Sequence, residues 1–237
     1  MKERNSGWSF EAKLIGFGVC AVLVVFAQVT FAIESPEEIR ALYAETNKLI
    51  EHKKASELLL HTGPGDYGPG PNSNAKEKWY LVEPHGDPKP FDGSDYKARA
   101  YVHDGRLIKA VILSISEGWN NAAEYYFYRD GKTAFVFERL VTEHGYNIDK
   151  QEPLTQGPYV VEWRTYFDRS GNVVRELKKG FYESNKQELP LKYIRTSVMT
   201  YGYYYKNSTS LPFSSVIKEW LLPRPRDRGR TTPTGKR

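Results

Sequence analysis

The 237 residues carry 34 lysines and arginines against 29 aspartates and glutamates, a formal net charge of +5. The excess is local: residues 223–237 hold +5 and the first 32 residues +1, which leaves −1 on residues 33–222. A nucleic-acid footprint needs basic residues on the folded body, so a near-neutral body excludes that partner class, and with Cys20 as the one cysteine a disulfide framework is excluded too.

Lys2, Arg4 and Lys13 precede an uncharged run from Leu14 to Ala32 that ends in Thr30-Phe31-Ala32. A basic start, an apolar middle and small residues before the exit read as a secretory signal cleaved after Ala32. The alternative is an uncleaved membrane anchor, since nineteen residues lie near the lower limit for a spanning helix. Either way the chain is expected to be exported: periplasmic, secreted or on the cell surface. Cys20 belongs to the signal, because Phe17-Gly18-Val19 before it is a poor lipid-attachment box.

The remaining chain of about 205 residues is long enough to bury roughly 70% of its unfolded surface. One α+β domain is expected over residues 33–222, with a basic, disordered tail over 223–237. Ser35-Pro36-Glu37-Glu38 combines a capping box with proline at the first helical position. Ile39, Leu42, Tyr43, Leu49 and Ile50 fall on one stripe, which predicts an amphipathic helix over 35–51. The helix is expected to continue or restart through Glu57-Leu58-Leu59-Leu60. Residues 61–74, with four glycines and three prolines, predict a long loop. A second irregular stretch runs from Pro84 to Asp95, and the segment "KWYLVE" between them is a short strand.

From Tyr96 the apolar period changes to two. Three strand–turn–strand units pivot on Asp104-Gly105, Asp130-Gly131 and Ser170-Gly171, the third with a longer turn and a bulge. Glycine after aspartate supplies the positive φ that tight hairpins need. An antiparallel meander of about six to eight strands follows, mainly over 78–206, with the N-terminal helix on one face. The segment "KYIRTSVMTYGYYYKN" predicts a further strand, and "SSVIKEWLL" a closing helix stopped by Pro223 and Pro225.

No catalytic or cofactor motif stands out. The five histidines sit at no metal or catalytic spacing, and no nucleophile elbow, zinc-protease helix or dinucleotide glycine pattern occurs. No metal and no cofactor is expected. Asp92-Gly93-Ser94-Asp95 lacks the ligand alternation of a calcium loop and reads as a turn. Asn207-Ser208-Thr209 matches a glycosylation sequon. The basic tail from Arg224 to Arg237 suits an anionic membrane, cell-wall polymer or lipopolysaccharide by charge alone. Its bland alternative is a solvated tail without partner.

The aromatics carry the functional expectation. In "EYYFYRDGKTAFVFE", Tyr125, Phe127, Phe135 and Phe137 are assigned to the helix-facing core, and Tyr126 and Tyr128 to the face whose cover is unknown. With Trp163, Tyr203 and Tyr205 they form the candidate ligand-binding set. Ordinary cross-strand packing is the competing reading. The order of signal, helix ("PEEIRALYAETNKLIE") and hairpins ("YYFYRDGKTAFVFE", "WRTYFDRSGNVVREL") resembles uncharacterised exported bacterial proteins. That resemblance implies compartment and fold class and no activity. The functional expectation is a non-enzymatic binding domain for an apolar, carbohydrate or protein ligand. The alternatives are a structural or accessory envelope protein, and a hydrolase with an unrecognised carboxylate site.

Overall fold

The capping box of the first helix closes as its residues dictate. In the computed structural model, which describes residues 35–62, 78–82, 96–197, 199 and 204–222, Ser35 Oγ accepts from Glu38 N at 3.3 Å and Ser35 N donates to Glu38 Oε2 at 2.7 Å. Helix α1 spans Pro36–Glu51. It stops because Lys53 turns left-handed at φ 54°, with Lys53 N bonded to Ile50 O and Lys54 N to Leu49 O, both at 2.9 Å. These two bonds form a Schellman cap, a motif that usually takes glycine at the left-handed position. The expected continuation through Leu58-Leu59-Leu60 is therefore corrected: strand β1, Ser56–Thr62, runs there instead and pairs with β3, Tyr96–His103. β1 takes in His61 and Thr62, the first two residues of the predicted loop, and the rest of that prediction lies outside the described residues.

β2 (Trp79–Leu81) pairs on the outer side of β1. β4 (Arg106–Ser116), β5 (Trp119–Phe127) and β6 (Thr133–Thr142) continue from β3. A small ribbon of β7 (Tyr146–Asn147) and β8 (Glu152–Pro153) interrupts the run before β9 (Tyr159–Phe167), β10 (Val173–Tyr182) and β11 (Glu188–Leu189). The result is a nine-stranded antiparallel sheet in the order β11-β10-β9-β6-β5-β4-β3-β1-β2, so the chain is α+β and mostly antiparallel sheet. Its strands outnumber the expected six to eight.

All three predicted hairpins form. Asp104 and Gly105 take φ 49° and 69°, the paired positive angles of a two-residue turn. The expected bulge of the third hairpin lies between Val173 and Arg175, but the first two hairpins shift register as well, at Tyr101/Val102 and Tyr126/Phe127. A fourth hairpin, unforeseen, joins β4 to β5 through Glu117 and Gly118, with Gly118 at φ 77°.

The predicted strand over 192–207 is another correction. A 3-10 turn, Leu191–Tyr193, opens that segment, Ile194 bridges to Gly145, and Asn207 bridges to Lys132. Ile194 and Met199 are buried with Leu140, Tyr159, Val161 and Trp163. Tyr204 and Tyr205 pack with Tyr125, Phe127 and Phe167. The described residues of the segment thus lie against one sheet face, where Ile194, Met199, Tyr204 and Tyr205 join its buried clusters. Helix α2, Ser214–Leu221, forms as predicted and buries Ile217 beside Leu211 and Phe213. Among the described residues no helix is long and apolar enough to cross a membrane; the apolar run Leu14–Ala32 lies outside them.

Candidate functional site

Alternation along the strands sorts the sheet into two faces of unequal cover. One face carries Ala98, Ala100, Ala110, Tyr125, Val136, Val161 and Trp163, buried under the C-terminal segment. The other is read from the cross-strand register. One row runs Tyr101, Lys109, Tyr126, Phe135, Tyr166, and the next runs Arg99, Val111, Glu124, Phe137, Arg164, Leu177. On this second face Leu59 and Ile115 are each 43% exposed and Leu177 38%.

The bulge between Tyr126 and Phe127 decides the aromatics. Tyr125 and Phe127 go to the first face, whereas Tyr126, Tyr128, Phe135 and Phe137 share the second with Ile39 of α1. This overturns the expected division, since the phenylalanines do not stay together. Nor does the structure bring the candidate binding set together. Tyr126 and Tyr128 are buried on the second face. Trp163 is buried on the first, donating Nε1–H to Glu176 Oε1 at 2.8 Å beneath Lys178, 3.6 Å from its ring centre. Tyr205 is half-buried against Tyr125, ring centres 5.6 Å apart, and Tyr203 lies outside the described residues. With Tyr126 0% exposed, the hairpin offers no open tyrosine platform.

What the second face does hold is a polar cluster beside an aromatic groove. Lys109 Nζ lies 2.7 Å from Glu124 Oε2 and 4.7 Å from the Tyr126 ring centre. The Tyr126 hydroxyl has one proton, and Glu124 Oε2 at 2.7 Å takes it. Asn47 Oδ1 of α1 then stands 3.3 Å from the donating Lys109 Nζ. Burial first, and then the Glu124 carboxylate, hold the Tyr126 hydroxyl far above the ordinary tyrosine pKa. Tyr43 of α1 lies 4.9 Å from Tyr126 and edge-on to Phe135 at 5.6 Å, and Phe135 lies 4.8 Å from Tyr166 with the two rings tilted.

Beyond Tyr43 opens a groove of about 270 Å3, lined by Ile39, Arg40, Tyr43, Phe135, Phe137, Arg164 and Tyr166. Arg164 sits opposite Phe137 in register and 5.4 Å over its ring. One of its nitrogens, Nη2, reaches Glu162 at 2.9 Å, and Arg40 Nη1 reaches Glu37 at 3.3 Å. No motif in the sequence singles out either arginine. The spacing alone carries a signal: Glu162, Arg164 and Tyr166 alternate onto one face, and Ile39 and Tyr43 stand one helical turn apart.

Other features divide around this site. A wider cavity of about 590 Å3 lies between the β3–β4 and β5–β6 turns and α2. Under the C-terminal segment Glu138 is fully buried, accepting from Asn121 Nδ2 at 2.8 Å; burial, with Glu138 and Glu176 nearby, raises the Tyr204 hydroxyl against the opposing bond from Thr165. Among the described residues no group of three or more His, Cys, Asp or Glu side chains could hold a metal ion; the Asp92–Asp95 turn lies outside them. Comparison with protein-family models, curated proteins and solved structures finds no match for this chain.

Proposed function

We propose that this protein is an exported binding domain that holds a small apolar ligand in the groove between α1 and strands β6 and β9. In this reading α1 lies on the second sheet face as one wall, with its Ile39 and Tyr43 packed toward Phe135 and Tyr166. The carrying observation is the lining itself: three sheet aromatics, a tyrosine, an isoleucine and two guanidinium groups around about 270 Å3. Rings and planar cations hold and orient a ligand, which favours binding over bond-breaking chemistry. Export rests on the basic start and the run Leu14–Ala32, and Ile33 is the expected first residue of the processed protein on N-terminal sequencing.

Titration with N-phenyl-1-naphthylamine, a neutral apolar fluorophore, tests the groove. Saturable one-to-one enhancement is expected, weakened about tenfold in Phe137→Ala, because losing a stacked ring removes roughly 1–2 kcal/mol. Unsaturable or mutation-insensitive enhancement would sink the reading.

A second reading has its own observation. β11 covers only Gly180 and Phe181 of β10, so Val173 to Lys179 has no outer strand neighbour among the described residues. An accessory protein contacting others by strand addition would use that edge. Its charges, Arg175, Glu176, Lys178 and Lys179, are the kind that discourage indiscriminate pairing.

A further inference from the structure

We infer that the ligand of this groove is a small carboxylate with a flat or short apolar body, its charge held between Arg40 and Arg164. The inference rests on the binding reading above and goes beyond it in naming the ligand class. A purely apolar occupant would need only the rings of Phe135, Phe137, Tyr166 and Tyr43. The groove instead places a guanidinium on each wall, one from α1 and one from β9, side by side with those rings.

Both guanidiniums keep donors to spare. Each carries five N–H groups in a planar fork that matches a carboxylate. The Glu162 contact is made at Nη2 of Arg164, and the Glu37 contact at Nη1 of Arg40. The Arg40–Glu37 pair is open to solvent, its side chains 49% and 68% exposed, and exposed pairs rearrange at little cost. Glu162 is only 16% exposed but also lies 3.5 Å from Lys179 Nζ, so it keeps a cation when Arg164, 42% exposed, turns toward a ligand. Arg164 is also steadied from below by the Phe137 face at 5.4 Å, so its plane is set before a ligand arrives. The charge of the occupant follows from the cations, and its flat body from the rings. Its size follows from the volume, about 270 Å3, just under the range of roughly 300–1,000 Å3 usual for drug-sized ligands.

The test compares 2-naphthoate with its neutral isostere 2-naphthamide by calorimetry on the processed protein, alongside the N-phenyl-1-naphthylamine titration. Naphthoate is expected to bind about tenfold tighter than the amide, the worth of a charge-assisted hydrogen bond, and to weaken as salt is raised. Arg164→Gln and Arg40→Gln should each narrow that ratio, and Arg164→Lys should restore part of it. Acetate at matched ionic strength should not displace the fluorophore. Equal affinities for acid and amide, with the fluorophore still bound, would overturn the carboxylate inference and leave the groove standing. No saturable binding of any probe, as when a second copy of the chain closes the groove, overturns both.

Discussion

Tyr126 shows how one hydroxyl ties the second face of the sheet to pH. Its ring lies fully buried, and its proton goes to Glu124, which Lys109 also holds at 2.7 Å. Removing the hydroxyl in Tyr126→Phe leaves Glu124 its lysine, so the expected cost is about 1–2 kcal/mol in urea unfolding at pH 7. The pH dependence has a definite sign. Burial and Glu124 raise the folded pKa of Tyr126 above its unfolded value, which is about 10. The unfolded chain therefore gives up this proton first as pH rises, and the stability tied to it is complete below about pH 10 and declines above. Tyr204, also raised by burial, contributes in the same direction. Urea midpoints measured from pH 8 to 11.5 should fall above 10, and less steeply in Tyr126→Phe. An unchanged slope would show that Tyr126 ionises alike in both states.

At the scale of elements, the stop of α1 carries the clearest cost. Lys53 sits at φ 54°, where a side chain costs roughly 1–2 kcal/mol that glycine avoids. Lys53→Gly should raise stability by about 1 kcal/mol, after glycine's own loss of chain entropy, and a lower melting temperature would contradict the Schellman geometry. The same lysine explains what the sequence hides. Hairpins at Asp104-Gly105, Asp130-Gly131 and Ser170-Gly171 are legible because glycine marks each turn, and α1 begins legibly at Ser35-Pro36. Its end is unmarked, and Leu58-Leu59-Leu60 suits helix and strand periods equally. The face of each aromatic is hidden for another reason. A one-residue bulge at Tyr126/Phe127 moves the side chains beyond it to the opposite face, and no residue type there announces it. The groove is legible only in part: its rings stand out, but Arg40 and Arg164 gain meaning once α1 and β9 are placed.

Over the whole chain, the basic excess lies apart in sequence from the apolar residues that build the core. Phe213 and Ile217 are almost fully buried against Trp79, Leu107 and their neighbours on the first sheet face, with Trp220 packed beside them, so the chain through Trp220 is needed for the core. Beyond it, residues 223–237 hold five arginines and Lys236 against Asp227 and no Val, Leu, Ile, Met or aromatic side chain. A segment of that composition has nothing to bury. Ending the chain after Leu222 should leave the urea midpoint within about 0.5 kcal/mol of the parent, the usual range for changes away from packed features. Ending it before Phe213 should abolish the cooperative transition. The same two-point design reads the charge. Residues 33–237 carry +4 and residues 33–222 carry −1, and each basic residue near an anionic surface is worth about 1 kcal/mol at modest ionic strength. A chain of residues 33–237 is therefore expected to sediment with phosphatidylglycerol vesicles in 50 mM salt and to be released in 500 mM, as the Debye length shrinks from roughly 14 Å to about 4 Å. The chain ending at Leu222 should stay in the supernatant at both. Sedimentation of that shorter chain in low salt would move the surface contact from the tail to the folded body, with the cations of the open sheet face, Arg99, Arg139, Arg164 and Lys179, the next to be substituted.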